Sequence, residues 1–225
     1  MGYPSPNHGE RRGGARPSLI VIHYTAMDSC AEARSRLCDP LAEVSAHWLV
    51  DADGATEQLV DETRRAWHAG AGAWGPIDDV NSHSIGIELA NPGDRPFPEP
   101  QMRALEDLLA AVMARWAIAP HHVIGHSDMA PGRKADPGPR FDWRRLARMG
   151  LSVWPRPDAA LGDRPLVRSL RAFGYPEAPE DVLLAAFRLR FRPWARGPED
   201  MIDRALAADL ARRYPVKAGH DTDCR

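Results

Sequence analysis

The stretch Leu19-Ile20-Val21-Ile22-His23 is the clearest fold signal in this chain of 225 residues. Four consecutive apolar and mostly β-branched residues predict a buried strand, and the polar His23 marks its end. Two further apolar runs, residues 84–89 (SIGIEL) and residues 122–125, have the same character. The sequence therefore predicts at least three buried strands that belong to one sheet.

Helical patterns lie between these strands. Residues 101–116 are the strongest case, because apolar side chains recur there at helical spacing: Met102, Leu105, Leu108, Leu109, Val112, Met113 and Trp116. Shorter helices are predicted at 31–37 and 142–149, and a hairpin at 46–60 around a turn at 51–54. Interleaved strands and helices predict an α/β fold class, with a central mixed sheet flanked by helices.

The composition changes along the chain and suggests its organisation. Residues 1–17 are polar and rich in Gly, Pro and Arg, which predicts a flexible N-terminal segment. Residues 18–154 carry the α/β pattern. After a Pro-rich connection, three short helical patterns predict a separate, small C-terminal three-helix module at 163–214. The last residues, 215–225, are predicted to be disordered.

The charge balance and the cysteines limit the classes of function. A net charge of −2 gives no electrostatic footprint for binding nucleic acid. No apolar run reaches the ~20 residues of a transmembrane helix, and the N-terminus lacks the apolar stretch of a signal peptide. We therefore expect a cytoplasmic protein, or a periplasmic or cell-envelope one if the sequence is trimmed. Cys30 and Cys38 lie on one predicted helix roughly 12 Å apart, so free thiols are expected.

Two histidines follow strand ends, and one carboxylate lies close behind in sequence. His23 ends the first strand, His126 ends the run 122–125, and Asp136 comes ten residues later. Two imidazoles and a carboxylate can hold a zinc ion with a fourth position open for water. Each histidine alone could equally be a hydrogen-bonded structural residue, and cobalt or manganese could occupy such a set instead of zinc.

Five sequence pieces resemble the type 2 family of N-acetylmuramoyl-L-alanine amidases, which also includes the peptidoglycan recognition proteins. In chain order these are VIHYTA, SAHWLVDADG, AWHAG, NSHSIGIELAN and GHSDMAPGRKADPG, all between residues 18 and 150. The AmiD-type subgroup, whose members also carry a C-terminal peptidoglycan-binding module, is the most similar. The resemblance implies a zinc-dependent bacterial hydrolase that acts on peptidoglycan or muropeptides in cell-wall degradation or muropeptide recycling.

The resemblance also implies roles for individual residues. His23, His126 and Asp136 become the zinc ligands, Glu88 the general base, and Lys134 the group that stabilises the oxyanion. Without the resemblance, Lys134 would be interpreted as a solvated loop lysine and Glu88 as a strand-end carboxylate paired with an arginine. The expected substrate-binding residues are His47, Trp67, His68 and Asn91. Trp67 could instead anchor its loop.

Other functions remain open from the sequence. A non-catalytic peptidoglycan-binding protein is the main alternative, although such relatives typically lack part of the metal set. A phage-type or toxin-type lysin is a further possibility, as is an endopeptidase or deacetylase with the same zinc chemistry. Residues 164–214 resemble small three-helix peptidoglycan-binding domains, but a helical cap that only stabilises the catalytic domain would give a similar pattern.

Overall fold

The computed structural model of the chain describes residues 4–156 and 158–216. The strands are β1 (His8–Gly9), β2 (Leu19–Tyr24), β3 (Trp48–Val50), β4 (Thr56–Gln58), β5 (Arg65–Ala66), β6 (Ser84–Leu89) and β7 (Val123–Gly125). The α-helices are α1 (Cys30–Cys38), α2 (Val80–His83), α3 (Glu99–Trp116), α4 (His126–Met129), α5 (Trp143–Arg148), α6 (Leu166–Phe173), α7 (Glu180–Phe191) and α8 (Met201–Arg213). Short 3₁₀ turns occupy Arg12–Gly14, Pro120–His122 and Ala159–Leu161.

Five strands form one mixed sheet, which confirms the predicted fold class. Their spatial order is β4-β3-β6-β2-β7, with every neighbouring pair parallel except β3 and β4. The register places His23 beside Glu88, and Ile22 beside Gly125, the residue before His126. The carboxyl ends of the central parallel strands therefore bring three of the predicted site residues to one edge of the sheet.

Helix α3 covers one face of the sheet. Ile20 and Ile22 of β2 point to this face, as do Ile85 and Ile87 of β6, and they pack against the apolar stripe of α3. The helix begins two residues earlier than its apolar pattern predicts, because Pro100 fits the first turn, where its missing N–H costs nothing. It ends at Ala117, which adopts a left-handed conformation as the C-cap.

The three C-terminal helices cover the opposite face. Leu19 and Val21 of β2 share a single hydrophobic cluster with the helices. The apolar partners from α6, α7 and α8 in this cluster include Leu170, Phe173, Leu183, Phe187, Phe191, Leu206 and Leu210. The three helices fall within the predicted range 163–214. Their apolar side chains form a second covering layer of the sheet, and the organisation as a separate module stays a prediction.

The described part of the N-terminal segment, residues 4–17, packs against the rest of the protein. Strand β1 pairs with β5. The Asn7 side chain donates to the carbonyls of Asp39 and Val44, both at 2.8 Å. The buried guanidinium of Arg11 donates to several backbone carbonyls, including that of Ser82 at 2.7 Å. Long-range bonds to backbone oxygens therefore hold a segment whose composition alone suggests mobility.

At the other end, residues 217–225 of the predicted tail lie outside the described residues. Val216 is described, and its N–H donates to the carbonyl of Ala172 at 2.9 Å. Within the described ranges, Cys30 and Cys38 are free cysteines. In the same ranges, no helix is long and apolar enough to cross a membrane.

Candidate metal centre

His23, His126 and Asp136 converge at the carboxyl edge of the sheet. The Nδ1 atoms of the two histidines lie 2.9 Å apart, and each lies 3.0 Å from Oδ2 of Asp136. All three side chains are buried. Among the described residues, this group is the only set of three or more metal-binding side chains whose ligand atoms lie within 4.8 Å of one another.

Hydrogen bonding fixes which nitrogen of His126 carries a proton. Its Nε2 lies 2.9 Å from the carbonyl oxygen of Ala69, which can only accept a hydrogen bond. Nε2 is therefore protonated, and in the neutral ring Nδ1 presents a lone pair to Asp136. Such a carbonyl contact is typical of metal-binding histidines, since it fixes both the tautomer and the ring orientation.

A chain of three side chains fixes the tautomer of His23 in the same way. Ser84 donates its only hydroxyl proton to the carbonyl of Val80 at 2.6 Å, so its oxygen must accept from Nε2 of His68 at 3.1 Å. Nδ1 of neutral His68 is then the acceptor for Nε2–H of His23 at 3.0 Å. Burial lowers the pKa of His23 to about 4 and that of His68 well below its usual value, which keeps both rings neutral. His23 therefore also presents a lone pair at Nδ1.

The site thus has three acceptor atoms, on His23, His126 and Asp136, that lie 2.9–3.0 Å from one another. With both rings neutral, none of the three atoms carries a proton that the others could accept. Acceptor atoms repel at this separation unless a cation lies between them. Two neutral imidazoles and a carboxylate are suitable ligands for a transition metal ion. His23, His126 and Asp136 can therefore hold a metal ion, and the hydrogen-bond network around them is already arranged for it.

Glu88 lies in the same cavity as the three ligands. Its Oε2 is buried and has no hydrogen-bond partner within the protein. Burial, with a smaller contribution from the Asp136 charge, raises the pKa of Glu88 to about 8, and Lys134 opposes this shift. An arginine partner is absent among the described residues, so the structure contradicts the interpretation of Glu88 as an ion-paired strand-end carboxylate.

A groove of about 390 Å³ leads to the ligands. Lys134 is exposed on its wall and makes no ion pair with any residue between 4 and 216 that the structure describes. Trp67 also lines the groove, and its backbone is held by the hydroxyl of Ser45 at 2.8 Å. The groove therefore brings together a carboxylate, an ammonium group and an aromatic side chain beside a possible metal ion.

Two residues expected to contact substrate are not in the groove. His47 is fully buried, where its Nδ1 accepts from the N–H of Gly86 and its Nε2 faces the carbonyl of Arg64. The Asn91 side chain is buried too, and it accepts from the N–H of Gly93 at 2.7 Å. Both side chains are therefore engaged with backbone groups in this structure, and their role in substrate binding stays a prediction.

His68 borders the groove, but both of its ring nitrogens are engaged with His23 and Ser84. It therefore orients a ligand rather than offering a hydrogen bond to substrate. The sequence interpretation missed several groove residues that resemble ordinary surface or strand positions: Tyr24, Arg36 and Arg133. No local signal identifies Arg36 and Arg133, since their position in the groove depends on how α1 and the loop after α4 pack. Tyr24 is the last residue of β2.

Comparison with known proteins shows which family this chain is similar to. The model of the N-acetylmuramoyl-L-alanine amidase family matches residues 13–139. The chain is 35% identical to N-acetylmuramoyl-L-alanine amidase AmiD of Escherichia coli over 88% of its own length and 84% of that protein. It is 34% identical to 1,6-anhydro-N-acetylmuramyl-L-alanine amidase AmpD of Enterobacter cloacae, over 65% of the chain and 87% of that protein.

A solved structure gives the same result. The complex of E. coli AmiD with anhydro-N-acetylmuramic acid-L-Ala-D-gamma-Glu-L-Lys superimposes with a TM-score of 0.79 at 33% identity, covering 92% of this chain and 98% of that one. The match includes the C-terminal helices as well as the sheet, since it extends well beyond residue 139. On the sequence, the fold and these relatives, the chain belongs to the N-acetylmuramoyl-L-alanine amidase family.

Proposed function

We propose that this chain is a zinc-dependent amidase that hydrolyses the bond between N-acetylmuramic acid and L-alanine in muropeptides or peptidoglycan. The observation that carries the proposal is the cluster of three unshared acceptor atoms on His23, His126 and Asp136, beside the unpartnered carboxylate oxygen of Glu88. A protein that only binds peptidoglycan has no need for this arrangement.

The donor set suits zinc. Ligand atoms around a tetrahedral zinc ion with bonds of about 2.0 Å lie about 3.3 Å apart, close to the 2.9–3.0 Å separations of the three atoms here. When bound, Zn²⁺ lowers the pKa of a coordinated water to about 7 and polarises a carbonyl oxygen. These are the two requirements for attacking an amide, which is a poor electrophile.

Glu88 acts as the general base in this proposal. Its unpartnered Oε2 lies in the cavity with the ligands, where it can accept a proton from water and later deliver it to the leaving amine. The raised pKa of about 8 holds that proton readily once it is taken up. A nearby bound cation has the opposite influence and favours the ionised form that starts the reaction.

Lys134 stabilises the oxyanion that develops on the carbonyl oxygen. Its ammonium group is on the groove wall, close enough to influence the pKa of both Glu88 and His23. Losing an oxyanion donor typically lowers turnover by about 10²–10³-fold. Together with Arg36 and Arg133, it also makes the groove cationic, which suits the carboxylates of a peptidoglycan stem peptide.

The direct test is mass spectrometry of products from a 1,6-anhydro-muropeptide and from solubilised cross-linked peptidoglycan, each with and without a chelator. We expect free stem peptide from at least one substrate, and none after the metal is removed. The substrate that is cut faster distinguishes muropeptide recycling from wall degradation. Stoichiometric zinc with no cleavage of either substrate would instead support a binding protein.

A further inference from the structure

Asp128 is a buried carboxylate in the motif Gly125-His126-Ser127-Asp128, and two C-terminal segments bind it. Arg190 of α7 donates to its Oδ2 at 2.6 Å, and the hydroxyl of Tyr175, between α6 and α7, donates to its Oδ1 at 2.6 Å. Asp128 is fully buried, and Arg190 and Tyr175 are each 2% exposed. A desolvated ion pair with this second hydrogen bond is strongly directional.

Arg190 also holds the surrounding backbone. Its second terminal nitrogen donates to the carbonyl of Val123 in β7 at 3.0 Å and to the hydroxyl of Ser152 at 3.1 Å. The guanidinium stacks over the ring of Trp143, 4.2 Å from the ring centroid. One side chain from the C-terminal helices thus contacts the last strand, the start of α4 and the segment after α5.

The contacts of Asp128 lead directly to the ligands. Its Oδ2 accepts the N–H of Gly125, the residue before His126, at 2.8 Å. The next residue along, Ser127, donates its N–H to the carbonyl of Asp136 at 2.9 Å. The short turn that Asp128 fixes therefore carries one ligand and is hydrogen-bonded to the backbone of another.

We infer that Arg190 and Tyr175 are positioning residues for the metal centre: through Asp128 they fix the turn that carries His126. The inference rests on the proposed function, since it concerns the same metal site. It gives the C-terminal helices a role in the catalytic centre that is distinct from binding the cell wall.

Removing residues 155–225 does not test this idea, because it would uncover the sheet face that holds Leu19 and Val21. Point variants of the full chain are sharper. Tyr175→Phe removes one hydroxyl from Asp128 and leaves the ring in place. Arg190→Lys keeps the charge but cannot reach Asp128, Val123 and Ser152 together, because lysine lacks the planar fork.

The measurement is the zinc dissociation constant of the apoprotein, obtained by competition with a chelator, together with the absorption spectrum of the cobalt-loaded protein. We expect each variant to weaken zinc binding by about 10-fold or more, the range typical of lost outer-shell support. We also expect an altered cobalt spectrum, which reports ligand geometry and which a loss of stability alone leaves unchanged.

Two matched controls lie in the same C-terminal layer. Arg188, two positions from Arg190 on α7, forms a buried ion pair with Asp203 inside the C-terminal layer, so Arg188→Lys perturbs that layer without touching Asp128. Tyr214→Phe removes a hydroxyl that accepts from Arg213, its one hydrogen-bond partner in the described part of the chain. Both controls should keep the wild-type zinc affinity and cobalt spectrum.

Two results would overturn the inference: wild-type zinc affinity and spectrum in folded Tyr175→Phe, or an equal loss of affinity in Arg188→Lys. If Arg190→Lys does not fold, Tyr175→Phe alone decides. A wild-type chain that binds no zinc would instead disprove the proposed metal site, so the two failures are distinguishable.

Discussion

Gly86 shows how one residue makes room for the proposed metal centre. A Cβ atom at this position would lie 2.4 Å from Cγ of His68, a distance that real contacts do not reach. Because Gly86 has no side chain, the His68 ring can lie on the sheet between Ser84 and His23. The chain of hydrogen bonds that fixes the tautomer of His23 therefore depends on a missing side chain in the neighbouring strand.

Glu88 gives the sharpest prediction at the residue scale. We expect Glu88→Gln to lower kcat by about 10²–10⁴-fold, the usual contribution of a general base, because the amide cannot accept a proton. Zinc should remain bound at wild-type stoichiometry, since Glu88 is not among the ligands. Product release and bound zinc are measured on the same sample.

Glu57→Gln is the matched control, because Glu57 is partly exposed on β4 and pairs with Arg34 away from the groove. It should keep the wild-type rate. Near-normal turnover in zinc-loaded Glu88→Gln would remove Glu88 from the proposed mechanism.

At the scale of elements, the ends of strands and helices carry much of the specific chemistry. Helix α8 begins at Asp200, whose carboxylate accepts the N–H groups of Ile202 and Asp203, both at 2.9 Å. Arg192, from the end of α7, donates to the same carboxylate at 2.7 Å. Asp200 therefore joins two helices of the C-terminal layer while it caps one of them.

We expect Asp200→Ala to lower the free energy of unfolding by about 1 kcal/mol at pH 7, the usual value for a lost N-cap. The hydrogen bond and charge of Arg192 contribute to lowering the pKa of Asp200 to about 2, below the ~3.9 of an unfolded aspartate. Because the pKa of Asp200 is lower in the folded state than in the unfolded state, its carboxylate stabilises the fold above about pH 4. This stabilisation is lost as the pH falls towards 2. Urea denaturation between pH 2 and 7 measures this.

Asp200→Asn separates the two contributions, because asparagine is also a good N-cap but carries no charge. It should be less destabilising than Asp200→Ala at pH 7. If the difference in unfolding free energy between wild type and Asp200→Ala does not change with pH, the charge of Asp200 contributes nothing to stability.

Considering the whole molecule, two layers of helices from different parts of the chain cover the central sheet. Helix α3 lies on one face, and the C-terminal helices complete the other, where Trp74 packs edge-on against Phe173. The interface is apolar and continuous with the core. We therefore expect the chain to unfold as one cooperative unit.

Phe187→Ala tests this cooperativity. Phe187 is fully buried in the cluster that also contains Leu19 and Val21. Removing the ring should cost about 3–5 kcal/mol of unfolding free energy. Hydrogen exchange should become faster in β2 and β6 as well as in α7.

Trp194→Ala is the control, because Trp194 is 68% exposed in the same layer and should change stability by no more than about 0.5 kcal/mol. Two separate transitions, with β2 and β6 still protected after the helices have melted, would contradict the single unit.

Local patterns in the sequence were sufficient for the central strands and the longer helices, and for part of the site, whereas the short elements β1, β5, α2 and α4 were not predicted. The run SIGIEL predicts β6 with its observed bounds, Ser84–Leu89. His126 directly follows β7 as expected, whereas β2 continues one residue beyond His23, to Tyr24. The two histidines still lie close together, because parallel strands bring their carboxyl ends to the same edge of the sheet. The residues alone suggest Asp136 as a third ligand ten positions after His126, and the resemblance supports the same assignment, although most of α4 and a loop separate the two side chains.

The tertiary structure decided which polar side chains face inwards. Arg11, His47 and Asn91 are polar residue types that are common on surfaces or in grooves, yet all three are buried. Arg11 and His47 bond to distant backbone groups, and Asn91 bonds to the backbone of its own loop. Arg190 reaches Asp128 across 62 positions of sequence. Periodicity reports the faces of one element at a time, whereas these contacts depend on how separate elements pack. The sequence by itself therefore determined the central strands and longer helices, and the packing determined the short elements and the partners of the buried polar side chains.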